Sequence, residues 1–274
     1  MILLYSLFYN IAMKRLIIIF CLLFTVSLWG CGKVSGDITM DAPNINAPSN
    51  DFAPSLPEFE ENEEKKKYYA VSTVNGLRIR ASASTSGTVV GTLDKNDAVV
   101  FTEKVNDFYK TIYKEKVAYV YAPYCDIMEI SAEDDKIEKA IELGASLLGY
   151  PYVWGSQRYH WGNGKLNSDY VHGKYDCSAL VLYIYYKTNG IILDVTSRAQ
   201  AYNGTAVKKS DLKRGDLMFF TNESRKNLSG NERIGHVGIY FGNNYILHTA
   251  SDHAVIEPIS NTRWGYYITA RRVV

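Results

Sequence analysis

The chain has 274 residues, 47% of them hydrophobic, with 30 Lys+Arg against 29 Asp+Glu. That length and balance suit one to two folded domains and give no bulk charge with which to hold a polyanion. No basic run carries interleaved aromatics, so nucleic acid is not an expected partner.

Lys14 and Arg15 precede an apolar run from Leu16 to Trp29, too short to span a bilayer comfortably. A charged start, an apolar middle and small Gly30 before Cys31 read as a secretory signal over residues 1–30. Met1 to Ala12 is apolar and uncharged, which makes Met13 the expected start. Leu28-Trp29-Gly30-Cys31 resembles the bacterial lipoprotein processing box, although Trp29 is bulkier than that box usually carries. The resemblance implies a lipid on Cys31, an exported protein and a membrane contact through that anchor. Removing residues 1–30 leaves 28 bases against 29 acids, a net charge of −1. Only Cys125 and Cys177 then remain unassigned, so no disulfide framework is expected despite export.

Residues 31–67 hold four of the seven prolines (Pro43, Pro48, Pro54, Pro57) and few aliphatics. They read as a tether that cannot bury enough surface to fold. From 68 to 130 the pattern changes to short β-prone runs: Gly76 to Arg80, Val89 to Leu93, Ala98 to Thr102, Phe108 to Tyr113 and Val117 to Tyr121. Turn signals at Ser84-Thr85-Ser86-Gly87, Asp94-Lys95-Asn96-Asp97 and Lys114-Glu115-Lys116 separate them, which predicts a small all-β barrel. Asn75-Gly76-Leu77-Arg78-Ile79-Arg80-Ala81 and Tyr119-Val120-Tyr121-Ala122-Pro123-Tyr124 look like a bacterial SH3-type domain, a wall binder or a wall of the catalytic cleft rather than a plain spacer.

Asp134 to Leu148 has roughly helical apolar spacing and stops at Gly149. A second helix is expected from Ser178 to Lys187, with Asp176 as N-cap, Cys177 in the first turn and Asn189-Gly190 as the stop. Orphan N–H groups at such a start favour a thiolate and can donate to an oxyanion. Leu217 to Phe220 reads as a core strand, and Asn222 to Glu232 as a polar loop. Ile234 to Phe241 and Tyr245 to Ala250 then form a hairpin around Gly242-Asn243-Asn244. With a three-residue turn, Phe241 closes against Tyr245 and His236 shares a face with His248; a two-residue turn would put them on opposite faces. A helix followed by antiparallel strands gives an α+β class. The chemistry that fits is a cysteine hydrolase: Cys177 as nucleophile, His236 as its base, His248 orienting the second ring nitrogen of His236. A lone helix cysteine or strand histidine is more often structural; the combination in this order is what carries the functional reading.

Tyr152-Val153-Trp154-Gly155, Asp176-Cys177-Ser178, Leu212 to Phe220 and His236-Val237-Gly238-Ile239-Tyr240 occur in this order. Together they resemble the NlpC-type cell-wall peptidases, a papain-like family, over about residues 133–274. The resemblance implies nucleophile, base and third residue at Cys177, His236 and His248. It also implies a tyrosine in the oxyanion hole at Tyr152, substrate contacts at Trp154, Asp176 and Ser178, and no cofactor. The implied substrate is a peptidoglycan stem peptide or muropeptide, cut between γ-D-glutamate and diaminopimelate or lysine by a monomer. In relatives with an SH3-type domain in front, Asp and Ser at the positions of Asp176 and Ser178 recognise a free peptide amine, so free stem peptides are the expected substrate; Asp176 is also explained as an N-cap alone. An amidase or acyltransferase with the same triad, or an inactive wall-binding lipoprotein, are the competing readings. Ala179 and Ser156 replace glycines of the family pattern. The Gln157 to Lys174 stretch is longer than the family's connection and is expected to flank the cleft. Within it, His160 and His172 lack a third ligand at useful spacing, so no metal site is expected.

Overall fold

The computed structural model describes residues 65–250 and 252–274. The signal, Cys31 and most of the tether lie outside the described residues. None of the described helices is long and apolar enough to cross a membrane.

The N-terminal part holds eight strands: β1 (Lys66–Ser72), β2 (Leu77–Arg80), β3 (Val89–Leu93), β4 (Ala98–Val100), β5 (Glu103–Val105), β6 (Phe108–Tyr113), β7 (Lys116–Tyr121) and β8 (Cys125–Ser131). They form a β4-β1-β8 sheet and a β3-β2-β7-β6-β5 sheet. Alternating positions of both (Tyr69, Leu77, Ile79, Leu93, Val99, Val120) fill the interior. The five expected strands are present. The sequence reading omitted β1, β5 and β8, and β1 is the strand that joins β4 to β8.

Next comes α1 (Asp135–Ser146), capped by Asp134, whose carboxylate accepts from the Lys136 and Ile137 amides. A long loop leads to α2 (Cys177–Asn189). The core of α2, Ala179-Leu180-Val181-Leu182-Tyr183-Ile184-Tyr185, is buried on every side, which suits a helix enclosed by other elements rather than one lying on a surface. The remainder comprises α3 (Ser197–Gln200), β9 (Thr205–Val207), β10 (Leu217–Phe220), β11 (His236–Gly242), β12 (Tyr245–Ala250), β13 (His253–Pro258), α4 (Asn261–Gly265) and β14 (Tyr267–Arg272). One antiparallel sheet orders them β13-β12-β11-β10-β14-β9. Leu180, Ile184, Phe219, Val237, Ile239 and Leu247 share the core between α2 and this sheet. The class is α+β, the helix that begins at Cys177 packed on an antiparallel sheet behind a small all-β domain.

A buried cluster ties the two parts together. Arg214, before β10, pairs with Glu138 of α1 at 2.8 Å, donates to the Phe241 carbonyl and to the Tyr69 hydroxyl, and stacks over Phe241. The β6–β7 hairpin adds a second contact: Glu115 at its tip accepts from Tyr150 at 2.8 Å and from His172 at 2.6 Å. His172 belongs to the long loop, whose Tyr159 and Tyr170 pack on Tyr183 of α2. His160 of the same loop is fully buried and accepts from the Gly162 amide.

Candidate active site

Asp176 has the extended backbone of an N-cap and accepts from the Ala179 amide at 2.9 Å; α2 ends on left-handed Gly190. The helix therefore starts at Cys177, as the pattern Asp-Cys-Ser followed by apolar residues predicts. Ser156, which stands where the family pattern has glycine, accepts from the Asp176 amide at 2.9 Å and fixes the turn into the helix. Gln200 donates to the carbonyls of Ser178 and Asp194, holding α3 beside that first turn.

The two histidines come from neighbouring strands. β11 pairs with β12 through Ile239↔Leu247 and Tyr240↔Ile246, the register the hairpin reading requires. The turn itself is the two-residue Asn243-Asn244, both at positive φ. A bulge at Phe241-Gly242, where Gly242 takes φ 98°, restores the parity that a bare two-residue turn would have lost. Gly238 is required beside the pair, because a Cβ there would lie 2.9 Å from that of His248 and 2.6 Å from Ile246. His236 Nε2 and His248 Nδ1 end 2.8 Å apart.

Beyond them lies a carboxylate that sequence reasoning missed. His248 Nε2 is 2.9 Å from Glu257 Oε1, which also accepts from Arg263 Nη2 at 2.9 Å. This fixes the protons. A carboxylate only accepts, so His248 carries its proton on Nε2. Burial holds His248 below the usual imidazole range despite Glu257, and the neutral ring then accepts at Nδ1. His236 must therefore donate from Nε2, which leaves the lone pair on Nδ1. His236 is held well below the usual range by burial, then by His248 and Arg263. It is a neutral imidazole whose unprotonated nitrogen, Nδ1, faces away from His248.

The Cys177 thiol lies against β11, where the backbone N–H of Val237, next to His236, acts on it together with that of Ser178. From the helix N-terminus alone a lowered thiol pKa is expected. The structure reverses this: burial, and then the Asp176 charge, push it up to about 11, outweighing the two amides and Arg158. At rest the site therefore holds a protonated thiol and a neutral imidazole.

Two cavities flank this group. One, of about 190 Å³, is lined by Tyr152, Trp154, Arg158, Asp176, Cys177 and Arg198 among others. The other, of about 350 Å³, is lined by His236, Asn222, Thr249, Arg263 and Tyr266 among others. Tyr152 and Gly235 line both and form the divide. Tyr152 is positioned by its backbone N–H, which donates to the Asp252 carbonyl at 2.7 Å, and by a bridge to Tyr175. Trp154 stands 85% exposed on the rim. The expected residues Cys177, His236, His248, Tyr152, Trp154, Asp176 and Ser178 are thus gathered in one place, whereas Cys31 lies outside the described residues. The lining of both cavities comes from residues 152–266, so the SH3-type domain contributes no wall to either. No group of three or more His, Cys, Asp or Glu suited to a metal occurs among the described residues.

The comparisons with known proteins agree with this architecture. Residues 149–273 match the NlpC/P60 family, and residues 75–126 match the bacterial SH3 domain. The chain is 33% identical over 150 residues to the peptidoglycan DL-endopeptidase CwlO of Bacillus licheniformis, covering 53% of this chain and 30% of that protein. It is 31% identical over 165 residues to a gamma-D-glutamyl-L-lysine dipeptidyl-peptidase of Bacillus subtilis, covering 60% of this chain and 48% of the relative. It therefore spans a third to a half of the length of these relatives. A crystal structure of an NlpC/P60 family protein from Bacillus cereus aligns over 76% of this chain and 63% of its own, at 22% identity and a TM-score of 0.41.

Proposed function

We propose that this chain, which carries an NlpC/P60 family domain over residues 149–273 behind a bacterial SH3 domain, is an exported peptidoglycan hydrolase. In this reading it is a cysteine peptidase that cuts the amide between γ-D-glutamate and the diamino acid of a stem peptide. The observation that carries the reading is the proton relay Glu257–His248–His236, which ends in a free imidazole nitrogen beside the strand residue that touches the Cys177 thiol. A hydrogen-bonded histidine pair with one ring buried and the other facing a cavity has no evident structural need for its second member; as a base and its orienter both are used.

The acyl half of the substrate lies in the smaller cavity, under Trp154 and against Asp176 and Ser178, and the leaving half in the larger one. His236 takes the Cys177 proton on Nδ1 as the thiolate attacks the γ-carbonyl. The oxyanion is met by the Cys177 backbone N–H and the Tyr152 hydroxyl. His236 returns the proton to the departing amine on its own side of the divide; water, deprotonated by the same nitrogen, then releases the acyl enzyme. Transfer of the proton also resolves the raised thiol pKa, since the charged pair forms only when substrate has displaced water and brought a carbonyl to receive the electrons.

The test is mass spectrometry of purified muropeptides before and after incubation with the protein. New termini at γ-D-glutamate and at the diamino acid are expected. Products cut elsewhere, or none with fresh reduced enzyme, would overturn the reading.

A further inference from the structure

The smaller cavity contains a residue whose position gives it control over what enters. Arg158, in the long loop after Trp154, extends a half-buried guanidinium across the start of α2 and is fixed by four partners. Its Nε donates to the Val195 carbonyl at 2.7 Å, and its Nη1 to the Ser156 carbonyl at 2.5 Å and to Asp176 Oδ2 at 2.9 Å. Its Nη2 donates to Ser178 Oγ at 3.1 Å. The carboxylate it meets has no capacity left. Asp176 Oδ1 accepts from the Ala179 amide at 2.9 Å and from Ser178 Oγ at 3.1 Å. Its Oδ2 accepts from the Gly155 amide at 3.2 Å as well as from Arg158. An ionised carboxylate offers about four lone-pair sites, and four donors fill them. Ser178 donates its hydroxyl proton to Asp176 and accepts from Arg158, so one of its two lone pairs is already held by the guanidinium.

The charges point the same way. Among the residues lining this cavity, Asp176 is the one acid, against Arg158 and Arg198. Arg198 is drawn only loosely, at 3.6 Å, toward exposed Glu232. A guanidinium cannot be neutralised by losing its proton, and this one could be displaced only by giving up all four partners.

Resting on the peptidase reading above, we infer that Arg158 is a specificity residue that closes this cavity to a free ammonium, so that the enzyme takes stem peptides whose N-terminus is acylated and uncharged, as where the peptide is joined through an amide to a larger chain. Asp176 and Ser178 line the cavity but serve Arg158 and the helix cap, not a substrate amine. Like-charge juxtaposition in a confined site is costly enough to discriminate.

The experiment compares two stem peptides, identical except that one has a free N-terminal L-Ala and the other an N-acetylated one, with the full chain. The acetylated peptide is expected to have a kcat/KM at least about 10-fold higher. Arg158→Gln should narrow or reverse that ratio, because it removes the cation and frees one oxygen of Asp176. Arg158→Lys, which keeps the charge and is the milder change should the Gln variant not fold, should retain part of it. Equal rates on the two peptides, or a faster cut of the free-amine form by the wild type, would overturn the inference while leaving the peptidase reading intact. If neither peptide is cut, the peptidase reading fails by itself. The inference is then decided by calorimetric binding of the same peptides to Cys177→Ala: tighter binding of the acetylated form upholds it, and any other result overturns it.

Discussion

His236 and His248 sit on adjacent antiparallel strands with Nε2 and Nδ1 2.8 Å apart, and the next atom in line is an oxygen of Glu257. Because the carboxylate accepts only, one proton assignment runs through both rings and leaves His236 Nδ1 unprotonated. On the proposed reading Glu257 is a positioning residue. Glu257→Gln keeps the shape but can offer an N–H instead of an acceptor, which admits the wrong tautomer. A loss of about 10- to 100-fold in kcat with little change in KM is expected, by analogy with other groups that orient a ligand or base. An unchanged kcat in steady-state assays would show that the relay ends at His248.

Cys177→Ala is expected to abolish muropeptide cleavage, with a drop of about 10³-fold or more, while the circular dichroism spectrum is retained. His236→Ala should nearly match it, since nucleophile and base act as a unit. His248→Ala should be milder. Turnover by Cys177→Ala at the wild-type rate would remove the thiol from the mechanism.

The pH dependence follows from burial. Both histidines are held neutral below their usual range in the fold, whereas in the unfolded chain they bind protons from about pH 6.5 downward. The unfolded state thus takes up more protons on acidification, so stability falls as the pH drops below about 6.5. Glu257, held below the usual carboxylate range despite its burial by His248 and then Arg263, adds a further loss as its folded form titrates below about 4.5. Thermal melts should therefore show the midpoint declining from pH 7 to pH 5. His248→Gln, which removes one of the two depressed groups, should flatten that slope; a slope unaltered in this variant would refute the assignment. Alkylation gives a second check. With Cys177 pushed up to about 11 and Cys125 up to about 12, both by burial first, iodoacetamide should label Cys177 ahead of Cys125. The rate at Cys177 should keep rising well past pH 8. A plateau at neutral pH would mean that the resting site is already an ion pair.

Local signals mark most of the residues that the fold gathers around Cys177. An N-cap acid, a cysteine and an apolar run ending at Gly190 define α2 because capping and propensity act within a few residues. Parity along a hairpin placed the histidines for the same reason, and the bulge at Gly242 shows how narrowly: one residue fewer in the count would have separated them. What escaped depends on partners far apart in sequence. Glu138 and Arg214 are 76 positions apart, and no local pattern marks a charge that will be buried. Arg158 reads as one more polar residue in a loop until α2 is laid beside it. Glu257 had a usable signal. β12 pairs with β13 at His248↔Val255, so Glu257, opposite Ile246, is diagonal to His248 within reach of a long side chain. The expected hairpin ends at Ala250, before the strand that carries Glu257.

Cys31 is expected to carry lipid. The small residue before it and the apolar stretch behind Lys14-Arg15 are the motif, and two acyl chains give stable anchoring where one does not. In detergent phase separation the mature protein should enter the detergent phase, and Cys31→Ser should release a soluble protein or stall its processing. A wild-type N-terminus that starts elsewhere without lipid would refute this.

The Arg214–Glu138 pair should govern how the two domains unfold. Arg214 is 4% and Glu138 6% exposed, and the guanidinium is bound by a carboxylate, the Phe241 carbonyl and the Tyr69 hydroxyl of β1. Removing one partner leaves a buried charge without its counter-ion, which typically costs about 3–5 kcal/mol. Glu138→Gln or Arg214→Met should each lower the urea midpoint accordingly. The double replacement Glu138→Leu with Arg214→Met should recover much of the loss, because an apolar pair of similar volume avoids the desolvation of both ions. Since Tyr69 loses its partner wherever Arg214 is replaced, the two variants carrying Arg214→Met should separate the SH3-type domain from the rest and unfold in two transitions, whereas the wild type and Glu138→Gln are expected to unfold in one. A single transition in all variants, with midpoints within error of the wild type, would reduce the cluster to a bystander.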